Sequence, residues 1–189
     1  MSTAPTREVA RRAFASEFND AGYTFTESDE ERAPVYLLLP TGAHANRVFV
    51  VGTLTETEDI GDESEYWRGR IVDPTGTFFV YAGQYQPDAA SVLRDVEPPA
   101  YVAVTGKPRT YETDDGEINV SVRPEAITIV DEDVRRQWIV ETAERTLERI
   151  EAFEDGAGNE YATMAREQYD LPVENYRRAA VAALEDLDE

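Results

Sequence analysis

The chain contains no cysteine and a single histidine, His44. Disulfides, thiolate metal sites and a cysteine nucleophile are therefore excluded. A histidine-based metal centre or a Ser-His-Asp triad has almost nothing to be built from. His44 lies in a run of loop character, residues 41–46, and is expected at the surface. Lysine is nearly absent as well: Lys107 is the only one, and the other basic residues are arginine. No apolar run approaches the ~20 residues needed to cross a bilayer, and the amino terminus lacks an apolar signal core, so a soluble, cytoplasmic protein is expected. Neither a glycine-rich nucleotide loop nor a nucleophile–base pair stands out, so no enzymatic activity, cofactor or metal is expected.

What the chain has in excess is acid. Its 39 acidic residues against 18 basic ones give a formal charge of −21, spread along the whole length. Taken alone, that balance argues against nucleic-acid binding, because a binder is ordinarily basic where it meets phosphate. A lysine-poor, arginine-retaining acidic chain also has the composition of a cytosolic protein of a salt-in halophile. There, surface carboxylates keep the protein hydrated and molar salt screens their repulsion within a few ångströms. On this reading the net charge describes the solvent more than the partner.

Residues 3–8 read as a helix start, and Val9, Ala13, Phe14 and Phe18 recur at helical spacing up to Asn19, with Gly22 as the stop. Residues 24–33 form a polar, acidic connector. Residues 35–40 are a compact apolar run between two prolines, a short strand or extended segment that needs a cover. A strong strand follows at 47–56, in which Gly52 marks a bulge or bend. Residues 57–65 form an acidic loop.

Residues 66–81 read with a period of two as a pair of strands around Asp73-Pro74-Thr75-Gly76. Pro74 presets φ in this turn, and Gly76 tolerates the positive φ that a reversal often needs. Trp67, Gly69, Ile71, Phe78 and Val80 share the inward face, with Trp67, Phe78 and Val80 in the core. Tyr66, Arg68, Arg70 and Val72, and after the turn Phe79 and Tyr81, share the outward face.

A short helix at 87–93 precedes a fourth strand at 101–107, with Val102, Val104 and Gly106 inward. Asp114-Asp115-Gly116 signals a hairpin. The fifth strand spans 117–123 with Ile118, Val120 and Val122 inward, and 126–130 continue it past Pro124, which kinks the strand or sits at its edge. The order β-β-β-α-β-β with interior glycines is the layout of an OB-fold, a five-stranded, partly open Greek-key barrel. The expected class is β-rich α+β: a five-stranded OB-fold barrel at 46–130, flanked by an N-terminal helix and connector at 1–45 and C-terminal helices at 131–189.

In that last segment, Asp131, Glu132 and Asp133 favour a helix start. Ile139, Ala143, Leu147 and Ile150 follow as a stripe, flanked by Val134, Trp138 and Val140, and the helix is expected to stop before Gly156-Ala157-Gly158. Further helices are expected at 160–169 and 173–187. The stripe and its flanks carry more apolar surface than one contact needs. One side is expected on the chain's own domain and the other on a partner or on the carboxy-terminal helices, which makes Trp138, Ile139, Leu147 and Ile150 candidate partner-binding residues.

The run from 47 to 130 resembles the OB-fold of replication protein A (RPA)-type single-stranded DNA-binding proteins. The resemblance is carried by Val51-Gly52-Thr53-Leu54-Thr55, by Trp67-Arg68-Gly69-Arg70-Ile71-Val72-Asp73-Pro74-Thr75-Gly76, by Phe78-Phe79-Val80 and by Val102-Ala103-Val104-Thr105-Gly106-Lys107. The chain as a whole is similar to the haloarchaeal RPA-associated proteins, in keeping with its composition. The resemblance implies an OB-fold followed by a helical segment, single-stranded DNA as ligand, and an RPA subunit as partner in replication and repair. The zinc motif of some RPA relatives is absent, for want of cysteine.

The resemblance places the DNA face on Arg68, Arg70, Phe79 and Tyr81, which alternation independently points outward. Lys107, Arg109 and Tyr111, in the fourth strand and its following loop, and Asn119, Ser121 and Arg123 on the fifth strand would rim the groove. Each has a competing placement: Phe79 or Tyr81 packed beneath residues 35–39, and Arg109 and Arg123 paired with neighbouring carboxylates. Two other functions remain alternatives. One is a protein-interaction subunit that assembles an RPA complex without holding DNA, favoured by the acidic loop at 56–65. The other is an RNA-binding OB module, since base stacking is common to both nucleic acids.

Overall fold

The computed structural model describes residues 9–155 and 159–188. The helix start read at 3–8 and the stop at Gly156-Ala157-Gly158 lie outside them.

Five strands close into a barrel in the order β4-β5-β6-β8-β7: β4 (Val48–Asp59), β5 (Trp67–Val72), β6 (Thr77–Ala82), β7 (Ala100–Glu112) and β8 (Ile118–Ile129). A helix between β6 and β7, α2 (Pro87–Asp95), completes the OB-fold layout, and α1 (Ala15–Asp20) precedes the barrel. Alternation holds on the inner face, where Ile71, Phe78, Val80, Val102, Val104 and Val122 are fully buried. Ile118 departs from it: at 49% exposure it lies outside the barrel and packs near Gly22.

Gly52 is needed for close approach. A Cβ there would sit 2.6 Å from the Val72 carbonyl oxygen, and the register shift itself falls further on, between Leu54 and Glu56. Strand β8 runs on through Pro124, which sits at a bulge. The β7–β8 register slips there, from Thr105↔Ala126 to Gly106↔Pro124, leaving Glu125 as the extra residue.

The turn at 73–76 forms without positive φ at Gly76; among the described glycines only Gly42 and Gly116 adopt it. The Asp73 carboxylate organises the turn. Its Oδ1 accepts from the Thr75 and Gly76 amides at 2.6 and 2.9 Å and from the Thr75 hydroxyl at 2.8 Å. Its Oδ2 accepts from the Ala15 amide at 2.7 Å, and Thr75 Oγ1 accepts from the Ser16 amide at 3.0 Å. The hairpin turn therefore caps α1, whose own N-cap, Phe14, has no side chain able to do so. Burial pushes the Asp73 carboxyl up, against the hydrogen bonds that hold it down. Asp73→Ala strands these donors and is expected to cost about 1–3 kcal/mol. The loss would be read as a lower urea midpoint at unchanged m-value.

The N-terminal helix is shorter than its periodicity implies. Up to Phe14 the chain is extended: the Arg11 amide donates to the Arg47 carbonyl (2.8 Å) and the Phe49 amide to the Arg11 carbonyl (2.9 Å). The reason lies in β4, whose pairing with β5 begins only at Thr53. Its first residues would otherwise present an open edge, and the incoming chain satisfies it.

The apolar run at 35–40 forms β2 (Tyr36–Leu38), the centre of a small antiparallel sheet between β1 (Thr24–Phe25) and β3 (His44–Ala45). The connector thus contains a strand. His44 is not a surface loop residue but a half-buried strand residue stacked on Tyr161, with ring centroids 4.0 Å apart. The cover comes from the C-terminal helices α3 (Glu132–Glu154), α4 (Glu160–Gln168) and α5 (Glu174–Asp186). The Tyr169 hydroxyl, beyond α4, donates to the Leu38 carbonyl at 2.6 Å and accepts from the Tyr23 amide at 3.0 Å. Its burial pushes the phenol up to about 12.

Helix α3 begins on Asp131, whose carboxylate accepts from the Val134 amide. The residues expected to face a partner face the chain's own core instead. Ile139 and Ile150 are fully buried, Trp138 is 2% exposed, and Leu147 packs half-buried against the same core. Trp138 donates its indole N–H to the Phe49 carbonyl on β4 at 2.9 Å and meets the Phe14 ring edge-on at 5.5 Å. Helix α3 thus packs its stripe on the β4 flank of the barrel. One buried cluster runs from Ala13 through the barrel to Ala183.

Candidate nucleic-acid interface

Strand β7 extends to Glu112, so Arg109 and Tyr111 are strand residues and not part of a loop. That extension aligns the candidates. Lys107 is opposite Arg123, Arg109 opposite Ser121, and Tyr111 opposite Asn119, so all six lie on one face of the β7–β8 ladder. On β5 and β6, Arg68 is opposite Tyr81 and Arg70 opposite Phe79. The two groups meet at Tyr81 and Tyr111, which line one groove. Burial first, and then Tyr111, raise the Tyr81 phenol above the ordinary tyrosine range, so it stays neutral near phosphate.

Between them lies a groove of about 540 Å³, lined by Tyr66, Tyr81, Tyr85, Tyr111, Arg109, Ser121 and Arg123. Tyr66 stacks on Tyr81 with centroids 5.9 Å apart, and Tyr85 is 83% exposed. Tyr66 and Tyr85 were not among the sequence candidates. Alternation turns Tyr66 outward with Arg68, just before β5, whereas Tyr85 lies in the turn between β6 and α2, outside any period-two run. Tyr81 opens onto this groove and not beneath residues 35–39.

The arginines divide into two sets. Arg68 is held by Glu58 at 2.6 Å and lies over the Phe79 ring at 5.9 Å, and Arg70 donates to Thr55 Oγ1 at 3.1 Å. Arg109 and Arg123, expected to find carboxylates, form no ion pair among the described residues, and neither does Lys107. Glu125, the acid nearest Arg123 in sequence, is turned to Arg47 at 2.6 Å. Asn119 is exposed at the outer end of the ladder and does not line the groove. Among the described residues no cluster of three or more acidic or histidine side chains could hold a metal ion, and no helix is long and apolar enough to cross a membrane.

No family model and no curated protein matches the sequence. Among solved structures, the chain is similar to an OBody bound to hen egg-white lysozyme, at 20% identity over 45% of this chain and 80% of that one, with a TM-score of 0.38. It is similar to the second single-stranded DNA-binding protein of Mycobacterium smegmatis, at 20% identity over 44% of this chain and 84% of that one, TM-score 0.38. A mitochondrial single-stranded DNA-binding protein of S. cerevisiae follows at 22% identity over 45% and 92%, TM-score 0.35. These similarities span less than half of the chain, and the OB-fold assignment rests on the barrel's own strand order.

Proposed function

We propose that this protein binds single-stranded DNA in the tyrosine-lined groove, as a subunit acting with an RPA partner in the replication and repair of a halophilic archaeon. One observation carries the binding role. In a chain of charge −21, Lys107, Arg109 and Arg123 share one ladder face, form no ion pair among the described residues, and two of them line a groove with four tyrosines. Unpaired cations beside exposed rings suit a ligand that offers phosphates and flat bases together. The partner, the process and the saline habitat rest on the sequence resemblance and the composition. A second reading, an assembly subunit that leaves DNA to its partner, draws on the Arg68–Glu58 pair, which neutralises one of the outward arginines.

Salt separates the contributions. In molar KCl the phosphate contribution is largely lost, at ~0.7 in log K per log salt for each contacted phosphate, whereas stacking persists at roughly 1–3 kcal/mol per base. Tyr81→Ala and Phe79→Ala are therefore expected to weaken oligothymidylate binding in molar KCl by roughly 5- to 150-fold each. Arg68→Ala, removing a guanidinium already committed to Glu58, should do less. Fluorescence anisotropy measures this. Unchanged affinity in Tyr81→Ala, with circular dichroism intact, removes the groove from the reading, and unchanged affinity in Phe79→Ala, outside the groove lining, removes the neighbouring β5–β6 face.

A further inference from the structure

Beside the tyrosine groove lies a second hollow of about 450 Å³, which the sequence did not foreshadow. Arg109 and Arg123 line both, so the two adjoin. Its remaining walls bring in Lys107 and, from the segment before the barrel, Arg32 and Asn46. Asn46 donates to the Val35 carbonyl at 3.0 Å, tying the end of the small sheet to the chain that carries Arg32. No carboxylate lines this hollow, although Asp29, Glu30 and Glu31 immediately precede Arg32. None of the four cations forms an ion pair among the described residues. Four like charges around one concavity repel one another, and in a chain with 39 acidic residues a counter-charge was cheaply available. The hollow is thus complementary to a polyanion of matching spacing.

We propose that the phosphodiester backbone leaves the tyrosine groove through this hollow, and that Arg32, outside the OB barrel, is a phosphate-contacting residue. The inference rests on the single-stranded DNA reading and extends the ligand's path onto the small sheet. Arg32 supplies charge and no ring, so its contribution is electrostatic and salt-dependent, unlike that of Tyr81.

The test compares the full chain with Arg32→Gln, with Arg145→Gln as a control on α3, where Arg145 pairs with Glu148 at 3.0 Å. Oligothymidylate affinity is measured by anisotropy across a KCl series in which circular dichroism shows all three folded. Arg32→Gln is expected to flatten the slope of log K against log salt by about 0.7, one phosphate's share, while Arg145→Gln keeps the wild-type slope. Equal slopes for Arg32→Gln and wild type overturn the proposed path and leave binding in the groove standing. Equal flattening in both variants overturns it too, since the effect is then one of general charge. No binding by the wild type at any salt overturns the DNA reading itself, and this inference with it.

Discussion

Arg149→Ala is expected to lower stability by about 3–5 kcal/mol, a large part of the roughly 5–15 kcal/mol that holds an ordinary domain together. Glu17, on α1, is 1% exposed. Its Oε1 accepts from Arg149 Nη2 on α3 at 2.9 Å, and its Oε2 accepts from the Thr41 amide at 2.9 Å. Arg149 also donates through Nε to Thr41 Oγ1 at 2.9 Å and through Nη1 to the Arg12 carbonyl at 3.4 Å. One guanidinium thereby joins α1, the 39–43 turn, the extended N-terminal segment and α3. Removing it leaves a buried carboxylate without a counter-charge, the costly way to break a buried pair. Salt screens buried charges weakly, so the loss should persist in molar KCl. The half-exposed Arg12–Glu141 pair, at 2.9 Å, should contribute about 0–1 kcal/mol and fade with salt. Chemical unfolding of the variants at low and high KCl measures both. A loss below about 1 kcal/mol in Arg149→Ala would mean that water replaces the guanidinium at Glu17.

Trp138→Ala is expected to cost a similar 3–5 kcal/mol, the range for emptying a buried large aromatic site. The change removes the edge contact with Phe14 and leaves the Phe49 carbonyl on β4 without its indole donor. Trp138→Phe keeps most of the volume and loses only the hydrogen bond, at about 1 kcal/mol. The pair of variants also tests which way α3 faces. Were its stripe an interface, Trp138→Ala would spare the isolated chain and weaken only assembly. With the stripe inward, the unfolding midpoint falls and the barrel goes with it.

The barrel was legible because its strands alternate over five or more residues, a pattern that fixes both type and face. The same rule put Arg68, Arg70, Phe79 and Tyr81 outward correctly. It failed where periodicity is short or shared. Ala13 and Phe14 suit a helix face and an extended edge equally, and only the open edge of β4 decides between them. The stripe on α3 showed that something apolar must be covered, but a stripe carries no label for inside or partner. The Glu17–Arg149 pair joins residues 132 positions apart, and no local pattern announces it. Arg32 was hidden for the same reason: it sits in an acidic connector, and only the fold of the small sheet brings it beside Lys107 and Arg123.

The barrel closes between β6 and β8 through a parallel pair, Val80↔Val122, whereas β7 and β8 share a ladder from Val102 to Glu112. The seam lies under the groove, with Tyr81 next to Val80 on one side and Ser121 and Arg123 flanking Val122 on the other. A polymer resting there spans the barrel's thinnest join. On the proposed single-stranded DNA reading, a strand that binds only while the seam is closed opposes its opening. By mass action, ligand at 100 times its Kd would hold the join shut by about 2.7 kcal/mol. On that reading the bound strand would act as a missing rung of the sheet, and occupancy would tighten the closure.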